Sequence, residues 1–584
     1  MADSKSPVTE STLVYASRHD SGSGQAGTIS KNSESSVDRS SSARKPKLPL
    51  GWRIAILTLT CLSSFGNHWS NGLIVALKTT IIKEVQINNS QFATLVACTN
   101  LVNTFLCISF GFCIDKWGGP LLSVIMASFH LGGSIVMAGS ATNNFNNYPV
   151  LIVGKVIAAI GDGSLDNAQH RIFSTYFARG GGFAFSIGAI WGVANLAQFT
   201  GQSTANIIAT NLGTYAWALW ISAIIALFSV ICAVGVYFLD KWLIKNYEVT
   251  DHTDGLTMKS HLRSGVFSLK AVRELPVTFW IVVLFSIFEN AGVQSFVSIS
   301  TQFAQQRLKK GAVIGGWVSS FYLLLPACLT PVLGIVIDLY GQRVSFLLVS
   351  ALMFLISMLL LKFSHTVPTF IAAYVFYALA QCVTPAPQVE IIRSIIADPQ
   401  WFATAFAIKK SVVQASIVII TTAAGKLQDD TADDSLDPAV TLWLVYAFVC
   451  TAVSGSLWVV ANWFPTLLPA ARLSQTKPSK MQEEVRILLA KGAAASPISR
   501  RRRGSGSDVD EDDKELGDDE DGLFEEKRLL EDEKMLKKAR PGMDGMRWMF
   551  LVASAGIIAI GWIMFGMGVE WGVHGSVIAG TTGE

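Results

Sequence analysis

Gly111-Phe112-Cys113-Ile114-Asp115-Lys116-Trp117-Gly118-Gly119 and Gly334-Ile335-Val336-Ile337-Asp338-Leu339-Tyr340-Gly341-Gln342-Arg343 are two copies of one pattern, Gly-x-x-x-Asp-x-x-Gly-x, each set between two apolar runs. Their aspartates lie 223 residues apart in a chain of 584, so the sequence is organised as a duplicated unit. Two similar membrane halves that can rock about a site held between them are the architecture of alternating-access transport.

Composition agrees with a membrane setting. Hydrophobic residues make up 51% of the chain, charged residues 15%, and the mean hydropathy is +0.42. A soluble domain carries about 25% charged residues. Apolar runs of the length that crosses a ~30 Å hydrocarbon core occur at 53–76, 91–114, 120–140, 149–172, 183–205, 215–239, 277–303, 313–336, 344–363, 367–392, 402–424 and 439–464, and a thirteenth follows at 548–575. The expected fold is an all-α membrane protein of two six-helix bundles, 51–240 and 277–464, joined by a cytosolic loop at 241–276. A disordered cytosolic tail is expected at 1–50 and a charged cytosolic linker at 465–545. The stretch 546–584 should form the extra helix and a short tail. About 50 polar residues before the first run argue against a cleaved signal peptide.

Arg44, Lys45, Lys47 and Arg53 before the first run, and Lys241, Lys245, Lys259, Arg263, Lys270 and Arg273 in the central loop, place these segments in the cytosol. On the opposite side Asp429, Asp430, Asp433, Asp434 and Asp437 crowd one connection, while Arg307, Lys309 and Lys310 run against the bias. The triplet Asn88-Asn89-Ser90 is a glycosylation pattern in the first outer loop. A net charge of +3 gives no reason to expect a nucleic-acid partner, and the eight cysteines, all within apolar runs, imply neither a disulfide nor a metal framework. No cofactor and no covalent catalysis are expected.

The doubled loops and the twelve runs resemble the major facilitator superfamily over about 51–464. Within it, Phe65-Gly66-Asn67-His68-Trp69-Ser70-Asn71, Ile160-Gly161-Asp162-Gly163-Ser164-Leu165-Asp166-Asn167-Ala168-Gln169 and Pro331-Val332-Leu333-Gly334 resemble the branch of lysosomal dipeptide transporters. The resemblance implies a small polar solute, such as a dipeptide leaving a lysosome or vacuole, moved with protons or passively. Two departures bear on substrate. Where that branch carries an acidic residue before the Ser-Leu of span four, this chain has Gly163, with Asp162 beside it. The branch's span-five arginine is also missing, because no Lys or Arg stands between Arg179 and Lys241. A partner for a substrate carboxylate must come from elsewhere.

Polar residues inside spans are costly and tend to face a bundle interior or a water-filled path. His68 in span one, with Trp69 and Asn71, is a candidate for substrate or proton, since histidine changes charge near neutral pH. Asp162, Asp166 and His170 share a face of span four. Asp162 is the candidate site residue, and Asp166, His170 and Arg171 are expected to latch toward the Asp115 loop. Asn195, Gln198 and Gln202 stripe span five. Glu289 and Asn290 in span seven have no charged neighbour on their own helix, which makes Glu289 the leading protonatable or amine-binding group. Thr384-Pro385-Ala386-Pro387 should break span ten, followed by Gln388, Glu390 and Arg393. One of Lys409 and Lys410 should face inward, Lys409 being the candidate, either paired with Glu390 as a gate or binding a substrate carboxylate. Gly111, Asp115, Lys116, Gly334, Asp338 and Arg343 belong to the duplicated gating loops, where an aspartate can cap a neighbouring helix.

Glu484, Leu488 and Leu489, and again Glu525, Leu529 and Leu530, form acidic-dileucine patterns read by sorting adaptors. They favour a lysosomal or vacuolar membrane over the plasma membrane. The tail and added helix leave room for an accessory subunit. The competing functions are sugar or monocarboxylate transport and, in another class, a non-transporting receptor or scaffold that kept the fold.

Overall fold

The computed structural model describes residues 46–177, 182–247, 275–309, 311–363, 366–395, 402–431, 435–477, 480, 487 and 544–574. The expected N-terminal tail up to residue 45, most of the central loop and both acidic-dileucine patterns lie outside these residues. Helices dominate. The N-terminal half comprises α1 (Leu50–Leu62), α2 (Phe65–Ala76), α3 (Lys78–Val85), α4 (Asn89–Trp117), α5 (Gly119–Ala141), α6 (Tyr148–Tyr176), α7 (Phe183–Asn211) and α8 (Ala216–Asn246). The C-terminal half comprises α9 (Val277–Leu308), α10 (Ala312–Tyr340), α11 (Arg343–Phe363), α12 (Val367–Val383), α13 (Pro385–Ile395), α14 (Phe402–Asp429) and α15 (Asp437–Trp463). A short helix, α16 (Pro469–Gln475), and the last helix, α17 (Asp544–His574), follow. This is a multi-pass membrane protein: twelve described helical segments are long and apolar enough to span.

The first expected span is missing from those twelve because it is broken at Ser63 and Ser64. Ser63 Oγ donates to Thr60 O (2.7 Å) and Ser64 Oγ to Cys61 O (3.2 Å), and such back-bonding competes with the helical ladder and bends it. Gln169 of α6 covers the break, its Nε2 donating to Thr60 O (2.9 Å) and Ser63 Oγ (3.1 Å). Span ten is interrupted at Thr384, where Pro385 cannot donate to the preceding turn.

The halves meet along two helix pairs. On one side α7 lies against α10, so close that a Cβ at Gly188 would stand 2.6 Å from Thr330 O and one at Gly334 would stand 2.5 Å from Ala184 O. On the other side α4 lies against α14. The extra helix α17 packs over that second seam and touches both halves. Trp562 Nε1 donates to Thr104 Oγ1 of α4 (3.1 Å), and a Cβ on Gly568 would stand 2.6 Å from Thr422 Cγ2 of α14. Small residues at such crossings let helix backbones approach where no hydrophobic force separates protein from lipid.

The stretch from 465 onward, read as a charged linker, begins with α16, and Gln475 ties it to the C-terminal bundle. Gln475 Oε1 accepts from Val344 N (3.0 Å) and Ser345 N (3.3 Å) at the start of α11. The Asn88 triplet is folded in. Asn88 is 1% exposed. Its side chain accepts from Gln91 N (2.7 Å) and donates to Gly572 O of α17 (3.0 Å).

Candidate functional site

Between the halves lies a cavity of about 310 Å³ whose wall is built from both of them. From the N-terminal half it receives His68 and Asn71 of α2, Asn100 and Asn103 of α4, Lys155, Asp162, Asp166 and His170 of α6, and Asn195 and Gln198 of α7. From the C-terminal half come Glu289 and Asn290 of α9, Gln388 of α13, and Lys409 and Lys410 of α14. A cavity of this size sits at the small end of small-molecule sites.

On α6 the positions 155, 162, 166 and 170 recur at helical spacing, so one face presents a charged column to the cavity. Asp162 Oδ1 lies 2.7 Å from His130 Nδ1 of α5, both side chains nearly sealed from solvent. The two atoms are in contact, at an angle that does not make a hydrogen bond. His130 is a partner the sequence reading did not single out. Asp166 does not latch toward the Asp115 loop. It crosses to the other half, where Lys410 Nζ donates to its Oδ2 at 2.8 Å. His170 crosses the same gap, its ring 4.9 Å from that of Phe406 at 83°. Arg171 is half-buried, with no carboxylate within 4 Å among the described residues.

Glu289 is 1% exposed. Its Oε1 accepts from Thr384 Oγ1 (2.6 Å) and Ser350 Oγ (3.1 Å), while Oε2 has no hydrogen-bond partner. Asn290 and Gln388 form a reciprocal amide pair, each bond 3.0 Å. Lys409 Nζ donates to Gln388 Oε1. Both Lys409 and Lys410 therefore face inward, contrary to the expectation that only one could. The physical reason is the position of α14: 89% of its spanning window is buried inside protein, so every side of it meets a partner. The proposed Lys409–Glu390 gate does not form. Glu390 Oε2 is instead 3.7 Å from Arg343 Nη2, and Arg343 also donates to Ser474 O of α16 (3.3 Å).

Trp69 does not reach the cavity. It is packed into the N-terminal core, with its backbone oxygen where a Cβ on Gly201 would sit. Gln202 also lies off the cavity wall, and its Nε2 donates to Thr301 Oγ1 (3.0 Å) and Ser319 Oγ (2.8 Å) across the seam. His68 lies on the wall beside Trp191, ring centroids 6.4 Å apart. Asn195 lines it while donating to Trp191 O (2.7 Å).

Carboxylates tie the halves together toward both ends. Near the second duplicated loop Asp338 accepts from the backbone N–H groups of Ala184 (3.4 Å) and Phe185 (3.1 Å), in the first turn of α7. At the other end Asp429 accepts from Asn89 N (3.3 Å), Ser90 N (2.9 Å) and Ser90 Oγ, capping α4. Each aspartate stands in the last turn of a C-terminal-half helix and holds a helix N-terminus of the N-terminal half, where unpaired N–H groups attract anions. In both duplicated loops the second glycine turns the chain at positive φ, +86° at Gly118 and +72° at Gly341. Lys116 is exposed over the Trp117 ring at 5.7 Å, and Gly111 is buried within α4. The side chains of Asp115 and Arg393 lie outside the described residues.

The family model described as Major Facilitator Superfamily matches residues 60–314. That match covers less than half of the chain, and similarity of fold reaches further. A xylose–proton symporter of this superfamily, XylE, covers 70% of the chain and 95% of its own length at TM-score 0.55 and 14% identity. Among curated proteins, the lysosomal dipeptide transporter MFSD1 of Danio rerio is 24% identical over 394 residues, covering 65% of this chain and 81% of that protein. The Homo sapiens protein of that name is 23% identical over 418 residues, covering 67% and 85%. The chain is thus similar in sequence to these transporters and in fold to the symporter.

Sequence reasoning missed Lys155, although it stands seven residues before Asp162 and so on the same helix face. It also missed His130, whose pairing with Asp162 no spacing within one helix could show.

Proposed function

We propose that this protein moves a small zwitterionic solute, a dipeptide, across a lysosomal or vacuolar membrane by alternating access. The observation that carries the reading is the cavity between the halves, walled by Lys155 and Asp162 from one and by Glu289 and Lys409 from the other. Charges of both signs on opposite walls suit a molecule with an ammonium and a carboxylate. The similarity to the MFSD1 proteins supports both the solute class and the compartment. Adaptors reading Glu484-Leu488-Leu489 or Glu525-Leu529-Leu530 would direct the chain there.

In this reading Glu289 receives the solute ammonium or a proton, its free Oε2 being the open acceptor. Asn290 and Gln388 hold Lys409 in place. Asp338 and Asp429 release their helix caps alternately as the halves rock. A monocarboxylate is the second reading, favoured by lysines on both walls.

A thermal-shift panel on the purified full chain tests this. Dipeptides, single amino acids, sugars and monocarboxylates are compared at pH 5 and pH 7. A ligand at 100 times its Kd stabilises the native state by about 2.7 kcal/mol. Stabilisation by dipeptides supports the reading, and stabilisation by sugars alone overturns it.

A further inference from the structure

We propose that Lys155 is the carboxylate anchor of the cavity: its ammonium, steadied by Asn71, receives the carboxylate of the transported solute. The inference rests on the reading that a solute occupies this cavity. It starts from an imbalance of charge. Lys155 is 4% exposed, and its Nζ donates to the neutral Asn71 Oδ1 at 3.2 Å. No carboxylate stands within 4 Å of it among the described residues. The acids on its own helix are engaged elsewhere, Asp162 with His130 and Asp166 with Lys410.

An ammonium has three donors, and burying one without a counter-charge costs several kcal/mol. The other cavity lysines are better answered. Lys410 has Asp166 at 2.8 Å, and Lys409 holds Gln388 within electrostatic reach of Glu289. Lys155 has neither answer: its one hydrogen-bond partner among the described residues is the neutral Asn71. A solute carboxylate supplies both the missing charge and two acceptor oxygens, and it provides the partner that the absence of any Lys or Arg from 180 to 240 left unassigned. Snorkelling does not explain the side chain. Lys155 stands about two turns from the outer end of α6, yet its amine turns inward to α2 and is covered by protein.

The inference also assigns polarity. Lys155 and Asp166 are about 17 Å apart along α6, with the cytosolic pair below and the anchor above. The carboxylate end of the solute therefore binds toward the lumenal side.

The test uses the purified full chain, Lys155→Gln, Lys155→Arg, and two probes: alanyl-alanine and its C-terminal amide. Wild type is expected to bind the acid at least tenfold more tightly than the amide. Lys155→Gln should lose at least tenfold for the acid and keep its affinity for the amide, while Lys155→Arg keeps the preference. Ligand-free Lys155→Gln should melt no lower than wild type, because a neutral amide replaces an uncompensated charge; a purely structural lysine would show the reverse. If Lys155→Gln still prefers the acid as wild type does, the anchor is refuted. Free alanine and lactate separate this inference from the dipeptide reading. Binding of either that weakens tenfold in Lys155→Gln, with no dipeptide binding, keeps the anchor and rejects the dipeptide. If no carboxylate-bearing probe binds wild type, the anchor is rejected as well.

Discussion

Asp166→Asn removes the ion pair that, among the described residues, joins the two halves of the protein. Asp166 Oδ2 and Lys410 Nζ are 2.8 Å apart, with side chains 22% and 14% exposed. At that separation and an effective dielectric constant of about 20, the attraction is about 6 kcal/mol. Desolvation of both groups offsets much of it. Removing one member of a buried pair costs about 3–5 kcal/mol because the other is left uncompensated. Asparagine keeps one acceptor oxygen, so the expected loss lies near the lower end, about 3 kcal/mol. The same loss acts on the equilibrium between closed and open cytosolic ends, where 3 kcal/mol is roughly a 150-fold change in ratio. The assay is a double-mutant cycle by unfolding in mixed micelles: wild type, Asp166→Asn, Lys410→Met and the double variant. A coupling of about 2 kcal/mol is expected, so the double variant is more stable than the sum of the single losses allows. Additivity within about 0.5 kcal/mol would refute the pair as a link between the halves.

Three other outcomes follow from the same structure. Glu289→Gln mimics the protonated carboxyl and keeps the acceptor for Thr384, so the protein should fold while the ratio of transport at pH 5 to pH 7 falls to about one; an unchanged ratio removes Glu289 from proton coupling. Gly568→Leu places a side chain where Thr422 Cγ2 stands 2.6 Å from the Cβ position, and should lower the melting temperature by detaching α17, whereas Gly556→Leu, with open space around it, should leave it unchanged. Asn88→Gln should leave the glycosidase-sensitive mass unaltered, while Asn88→Ala should cost about 1 kcal/mol through the lost helix cap; a mass shift in the first would contradict the burial of that side chain.

Much of the fold is legible in the sequence because a span must satisfy its own backbone and hide its polar groups, which forces long apolar runs. The duplicated Gly-x-x-x-Asp-x-x-Gly loops marked the halves, and Pro385 marked the bend of span ten. The break of span one was not visible: Ser63 and Ser64 are ordinary in a helix until Gln169 arrives from α6 to satisfy the freed groups. The cavity wall was legible where a polar residue stood alone in an apolar run, as with Glu289, Asn290 and Gln388. Pairing was not. Lys410 is 244 residues from Asp166, and the spacing rules that group residues on one helix say nothing of which helix lies opposite. Lys409 and Lys410 misled for a related reason, since the argument that only one could face inward assumes a helix with a lipid side, which α14 lacks.

The most direct test of the account is counterflow in proteoliposomes. Vesicles holding the full chain and preloaded with unlabelled alanyl-alanine are placed in labelled alanyl-alanine. Alternating access predicts transient accumulation of label above its external level, abolished when Lys155 is replaced by glutamine. Label that merely equilibrates at the rate of protein-free vesicles would contradict a solute-binding cavity that opens to each side in turn.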